Sequence, residues 1–312
     1  MTIAAAAGLG IGWLADQAFG DPARHHPVAG FGSLATALER RLYSDDRRAG
    51  VLFTATLVGG AVGLGWLAQR ACRDRPGLRT AVTAAATWAV LGGRSLAREA
   101  EIISDALEAG DLPAARARLP HLVSRDPSGL DADQIARATL ESVAENTSDA
   151  VVAPLFWGAI AGVPGLLGYR AVNTLDAMVG YRNPRYRNFG WASARLDDLA
   201  NWLPARLAGA LATGLATMVG GRSEDAARAV AEQAPAHPSP NGGVVEAAFA
   251  GALGVTLGGT NTYDGVVEDR GELGTGPAPT PPDLARGVRL AQAVGLGSAL
   301  VAMAIAWRRG RQ

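Results

Sequence analysis

The side chains most able to do chemistry are gathered between Glu141 and Arg206. Glu141, Glu145 and Asp149 stand four apart, so a continuous helix puts them on one face, with Asn146 beside them. Asn173 and Asp176 are three apart, as are Arg195 and Asp198, and Asp197 and Asn201 adjoin the second pair. Oxygen donors in this pattern suit a hard cation such as Mg2+, normally held by one or two carboxylates and by a substrate's phosphate oxygens. Arg182, Arg185, Arg187 and Arg195 lie in the same stretch and suit bidentate capture of phosphate or carboxylate. Charge pairing on an exposed helix gives the same spacings for a plainer reason. The site reading is favoured because apolar runs alternate with these clusters, and ionisable groups at or within a bilayer are costly unless they serve a function.

Composition narrows the classes. Of 312 residues, 48% are hydrophobic and only 19% charged, with the apolar excess concentrated in runs, which is too apolar for a typical soluble enzyme. Formal net charge is zero, so nothing points to nucleic acid. The single cysteine, Cys72, excludes an intrachain disulfide and any multi-cysteine metal site. Every basic residue is arginine. Without lysine there is no P-loop, no pyridoxal-phosphate Schiff base and no kinase-type ion pair.

The elements that must position these residues are helical. Apolar runs at 3–19, Val51–Gln69, Thr80–Gly93, Pro204–Gly221 and Gly287–Trp307 read as membrane helices, some short. Val151–Ala161 is too short to cross alone, and Gly162-Val163-Pro164-Gly165 interrupts it. The reading favoured there is a helical hairpin that returns Asp176 to the side of Glu145 and Asp149; broken helices at membrane depth are tolerated where they line a polar cavity. Residues 94–150 are charged and helical by period, with Asp131 as an N-cap, and read as an extramembrane insertion. Val244–Gly259 is apolar and Gly-rich, and 260–286 reads as loop. The expectation is an all-α polytopic integral membrane protein with roughly five to seven membrane helices, some short or broken. It forms one membrane-embedded domain over 1–312, with 94–150 as its helical extramembrane part. Arginines crowd both 40–48 and 70–79, so charge does not set the orientation. Asp21, His25 and His26 share a Gly-Asp-Pro loop whose spacing fits no zinc pattern and reads as substrate-contacting. His237 and Asn241 lie in a second, proline-rich loop.

The motifs GDPARHHPV (20–28), ESVAENTSDAVVAPLF (141–156), YRAVNTLDAMVGYRNPRYRNFGWASARLDDLANWLPARL (169–207) and HPSPNGGVVEAAFAGALGVTLGG (237–259), with Asn261–Tyr263, carry a resemblance. Over nearly its whole length the chain resembles the cobinamide-phosphate synthase family of cobalamin biosynthesis, the membrane proteins CobD or CbiB. His25 and His26 stand where one histidine before Pro27 is expected, so both remain open. The resemblance implies a multi-pass protein of the cell (inner) membrane that catalyses ATP-dependent amide ligation. The ring D propionate of adenosylcobyric acid would join (R)-1-amino-2-propanol or its O-phosphate, giving adenosylcobinamide or its phosphate. Expected partners are those substrates, the lipid bilayer, other late cobalamin-assembly membrane enzymes and a further copy of the chain; nucleic acid is not among them.

Such a reaction needs ATP and Mg2+, because a carboxylate becomes reactive toward an amine only after phosphoryl transfer, and the crowded phosphate oxygens must be neutralised. Glu141, Glu145, Asn146 and Asp149 are candidate metal ligands, with Asp176 as a further candidate at the same centre. Arg182, Arg185, Arg187 and Arg195 are candidate phosphate clamps. Asp197 or Asp198 is the candidate proton acceptor, the other pairing with Arg195. His26, Asn173, Asn201, His237 and Asn241 are candidate substrate contacts. A transporter would also show broken helices and buried charges, and the membrane protein AmpE of beta-lactamase induction looks like a distant relative, which keeps a sensor role as the other alternative.

Overall fold

The computed structural model describes residues 3–22, 26–123, 126–181, 183–263 and 266–309. In chain order its helices are α1 (Ile3–Phe19), α2 (Pro27–Leu42), α3 (Arg47–Ala71), α4 (Pro76–Val90), α5 (Gly93–Glu108), α6 (Leu112–Arg118), α7 (Ala132–Thr147), α8 (Ala153–Ala161), α9 (Val163–Val179), α10 (Trp191–Gly214), α11 (Ser223–Glu232), α12 (Gly242–Leu253) and α13 (Pro281–Arg309). The exception to an all-helical fold is an antiparallel hairpin of β1 (Leu257–Tyr263) and β2 (Val266–Leu273). Two units form: Met1–Gly92, Asp149–Asn201 and Ser298–Gln312 make the first, Gly93–Ser148 and Trp202–Gly297 the second.

In the first unit α1 lies along α4, because Gly8 and Gly12 leave room where any side chain would collide with Thr83 and Thr87. One core joins these helices to α8, α9 and the end of α13 through Leu9, Leu91, Leu155, Leu166 and Ala302. A second core, around Phe53, Leu57, Leu175, Val179 and Phe189, packs α2 and α3 on α9. The expected helical hairpin is present. Gly162 adopts φ +73°, which a residue with a Cβ rarely takes, and lets the chain reverse between α8 and α9. Gln69 Oε1 accepts the Val163 N–H at 3.1 Å, supplying a partner for the first turn of α9. Pro204, inside α10, has no N–H for the Ala200 carbonyl; Trp157 Nε1 donates to that carbonyl instead at 3.0 Å.

In the second unit α12 is apolar but for Glu246 and buried at every position but Val244, which makes it a core helix. α7 packs beside it and starts on the expected cap: Asp131 accepts from Gln134 N while Gln134 returns a bond to Asp131 N. Of the loop expected at 260–286, the hairpin takes the part up to Leu273 and α13 the part from Pro281, with 274–280 left as loop. The hairpin's register shifts between Gly258 and Thr260, where Gly258 (φ +81°) and Gly259 (φ +75°) supply the backbone that a bulge needs. A strand rich in Gly, Thr and Asn carries little apolar alternation, so the sequence pattern does not announce it.

Among the described residues two helices, α3 and α13, are long and apolar enough to cross a membrane unaided. The other expected crossings are shorter or interrupted: α1 has 17 residues and α4 has 15. The apolar run at 204–221 is divided between α10 and a separate short turn at Ala216–Val219. Only 22% of the apolar window of α3 is buried, and Leu52, Leu64, Trp66 and Leu67 stand exposed along it.

Candidate functional site

The helix expected to carry the row of acids is not α-helical throughout. Past Thr147 the helix passes through a π turn, Ser148–Val152, before α8 resumes. An i→i+5 turn departs from the 3.6-residue period on which the expected row rests. Asp149 belongs to the first unit, while Glu141, Glu145 and Asn146 belong to the second. Glu141 is buried there; its Oε1 accepts the Gly258 N–H at 2.9 Å and lies 3.8 Å from Arg137 Nε. It therefore anchors the β hairpin. Asn146 donates back to the Ser142 carbonyl at 3.0 Å.

Around Asp149 the first unit gathers a polar cluster from four elements. Asn173 Nδ2 donates to Asp149 Oδ2 at 3.4 Å, so α9 returns to the π turn as the hairpin requires. Asp176 lies one turn further along α9, within electrostatic range of Asp197 on α10. Tyr169 OH donates to Asn201 Oδ1 at 2.7 Å, and Asn201 Nδ2 donates to Asp197 Oδ2 at 3.0 Å. The tyrosine thus fixes the amide so that its NH2 must face the aspartate. Arg170 Nη1 reaches Asn173 Oδ1 at 3.4 Å, and its charge is within range of Asp21 and Asp149. Asp21, on the loop after α1, lies 3.6 Å from His26 Nε2, while His26 Nδ1 caps α2 by accepting from Val28 N at 3.1 Å.

Asp197 stands ahead of Pro204, outside both long apolar helices. Burial pushes its carboxyl up to about 7, with Asp176 and then Asp198 adding to the rise. The side chains of Asn201 and, to a smaller extent, Asn173 act the other way. Among the described residues no donor bonds its buried Oδ1, and no three His, Cys, Asp or Glu side chains converge as a metal-holding group. Mg2+ does not need three, because phosphate oxygens and water complete its shell. Asp149 and Asp176 offer carboxylate oxygens of the kind that requirement asks for, with the Asn173 amide and the Arg170 guanidinium beside Asp149.

The remaining expected residues are described by their own partners. Arg182 and His25 lie outside the described residues. Arg185 is held by Glu39 at 2.8 Å and sits over the Tyr43 ring at 4.3 Å. Arg187 is exposed. Arg195 is also exposed and pairs with Asp198 at 3.5 Å, the pairing expected for one of the two aspartates. In the second unit His237 accepts from Ser239 N at 3.1 Å and approaches buried Glu246 at 3.5 Å, with Arg270 at 3.9 Å from the same carboxylate. Burial, then Arg270, pushes the His237 ring down to about 4 despite that carboxylate: an ion pair already balanced leaves no gain in a second cation. Asn241 accepts from Arg206 at 2.9 Å. Arg170 is the cluster member that the sequence pattern did not single out; Asp21 belongs to the loop expected to contact substrate. Arg170 was within reach, since it precedes Asn173 by three and shares its helix face.

Comparison with known proteins agrees with the motifs. The family model described as CobD/Cbib protein matches residues 9–291. The chain is 52% identical over 305 residues to the cobalamin biosynthesis protein CobD of Mycobacterium tuberculosis (strain H37Rv), covering 97% of this chain and 96% of that one. It is 46% identical to the CobD of Chromobacterium violaceum over 287 residues, 90% of each chain, and 44% identical to that of Rhodobacter capsulatus over 294 residues, again 90% of each. No solved structure matches. The matched span takes in all four elements of the acidic cluster, and the chain belongs to the CobD/CbiB family.

Proposed function

We propose that this chain is a cobalamin-biosynthesis enzyme, an adenosylcobinamide-phosphate synthase. It joins the ring D propionate of adenosylcobyric acid to the amine of (R)-1-amino-2-propanol or its O-phosphate, with ATP converted to ADP and phosphate. The observation that carries this reading is the meeting of Asp149, Asn173, Asp176, Asp197 and Arg170 in one unit of a CobD/CbiB chain.

A propionate oxygen is a poor leaving group until it carries a phosphoryl group. The amine nitrogen then attacks the carbonyl carbon, the C–O bond to phosphate breaks, and the nitrogen sheds a proton. Asp149 and Asp176 would hold Mg2+, which when bound neutralises the phosphate oxygens. Asp197 takes the proton. Asp198 is engaged by Arg195, whereas Asp197 Oδ1 lacks a donor of its own. Tyr169 and Asn201 hold the other oxygen, so the accepting one keeps its direction.

The protein works in the cell membrane on this reading. A long apolar helix that is the core of a soluble protein is mostly buried, and α3 is not. The basic end Arg308–Arg309 of α13 suits an interfacial anchor. The test is purified protein in detergent with adenosylcobyric acid, aminopropanol phosphate, ATP and Mg2+. Cobinamide product that requires the nucleotide supports the assignment; absence of product with any nucleotide refutes it.

A further inference from the structure

Arg170 reaches the aspartate cluster through a hydrogen bond to Asn173 and a charge contact to Asp149. It arises from the middle of α9, between Tyr169 and the Asn173–Asp176 pair. Its Nη1 is turned to Asn173 Oδ1 at 3.4 Å, the long end of hydrogen bonding. Its Nε is buried and bonds to nothing. A buried guanidinium N–H without an acceptor costs about as much as a lost charged hydrogen bond, so it is kept only where something recovers that cost. Asp21 and Asp149 are near enough to feel its charge, yet neither takes the Nε proton. The same cluster holds the complementary defect, the donorless Asp197 Oδ1. An unmet donor and an unmet acceptor in one cluster describe a ligand that brings both an oxyanion and an N–H.

We infer that Arg170 is the oxyanion-holding residue of this site, its Nε edge taking a phosphate oxygen of a substrate while Asp197 faces the amine. The inference rests on the proposed ligation and adds the residue that positions the phosphate. A phosphate could reach Arg170 from the nucleotide or from the amino-alcohol phosphate. The chemistry is shared: a phosphate oxygen on a planar fork that an ammonium cannot copy.

The experiment measures direct binding to purified protein in detergent, with melting temperature recorded for each variant. One arm uses a non-hydrolysable ATP analogue with Mg2+, the other 1-amino-2-propanol O-phosphate without nucleotide. Arg170→Gln should weaken one arm about ten- to hundred-fold, the loss of a charge-assisted hydrogen bond, and leave the other within a factor of two or so. Arg170→Lys restores charge without the fork and should recover only part of that loss. The arm that weakens identifies the source of the phosphate. Equal binding by wild type and Arg170→Gln in both arms overturns the inference and leaves the ligation intact. If Arg170→Gln fails to fold, a folded Arg170→Lys with wild-type affinity in both arms overturns it equally. Wild-type protein that binds neither ligand refutes the ligation itself.

Discussion

The two units use acidic side chains in opposite ways. In the second, Glu141 is bonded by a backbone N–H at 2.9 Å with Arg137 nearby, and Glu246 lies between His237 and Arg270. In the first, Asp149 is met by an amide at 3.4 Å and Asp197 by an amide on one oxygen only. A buried carboxylate set among cations is held to the fold by charge balance. Hydrogen bonds from neutral amides can be exchanged for those of a ligand at little cost. On the proposed ligation, the partner rather than the residue type separates a structural acid from a reacting one.

The largest effect should follow loss of the proton acceptor. Asp197→Asn should lower the rate of product formation by about 10^2–10^4-fold, the range for a general base, with membrane expression and melting temperature near wild type. A rate within a factor of a few of wild type removes Asp197 from the chemistry. Glu246→Gln should do the reverse. It leaves the Arg270 charge buried beside a neutral amide and should cost about 3–5 kcal/mol of stability, with activity per folded molecule retained. A melting scan unchanged from wild type would erase the contrast between the units.

Acidification should act on the second unit first. The folded chain holds His237 near 4 against an ordinary 6.5, so between those values the unfolded chain binds the extra proton. Stability is therefore intact above about pH 6.5 and falls as pH drops toward 4, by an amount on the order of 2–3 kcal/mol for a group this well shielded. His237→Asn keeps an acceptor for the Ser239 N–H and does not titrate, so its melting temperature should show a flatter pH profile in that window. A profile as steep as wild type would assign the loss to other groups. The smallest effect belongs to Tyr169→Phe. It frees Asn201 to rotate and should slow product formation up to about ten-fold, the worth of one neutral hydrogen bond, without changing the steepness of the melt.

Much of this contrast was legible beforehand, though not its division. Local signals held: the Asp131–Gln134 cap, the turn after Ala161, the Arg195–Asp198 pair and the common face of Asn173 and Asp176 all follow from offsets of a few residues. What failed depended on one irregular turn or on long-range partners. The π turn at Ser148–Val152, where the chain passes from the second unit to the first, has no composition of its own. Glu39 meets Arg185 across 146 positions, and Gly258 meets Glu141 across 117, distances over which spacing says nothing. α12 read as an apolar run because a core helix and a membrane helix share that composition; its length of 12 residues and its burial at all but Val244 separate them.

The most direct test of the account compares Asp176→Asn with Glu141→Gln in one preparation, reading ATP-dependent cobinamide product and melting temperature together. The account predicts a crossed result: Asp176→Asn melts like wild type and makes no product, while Glu141→Gln melts lower and keeps its activity per folded molecule. Full product from Asp176→Asn, or loss of product at an unchanged melting temperature in Glu141→Gln, would contradict it.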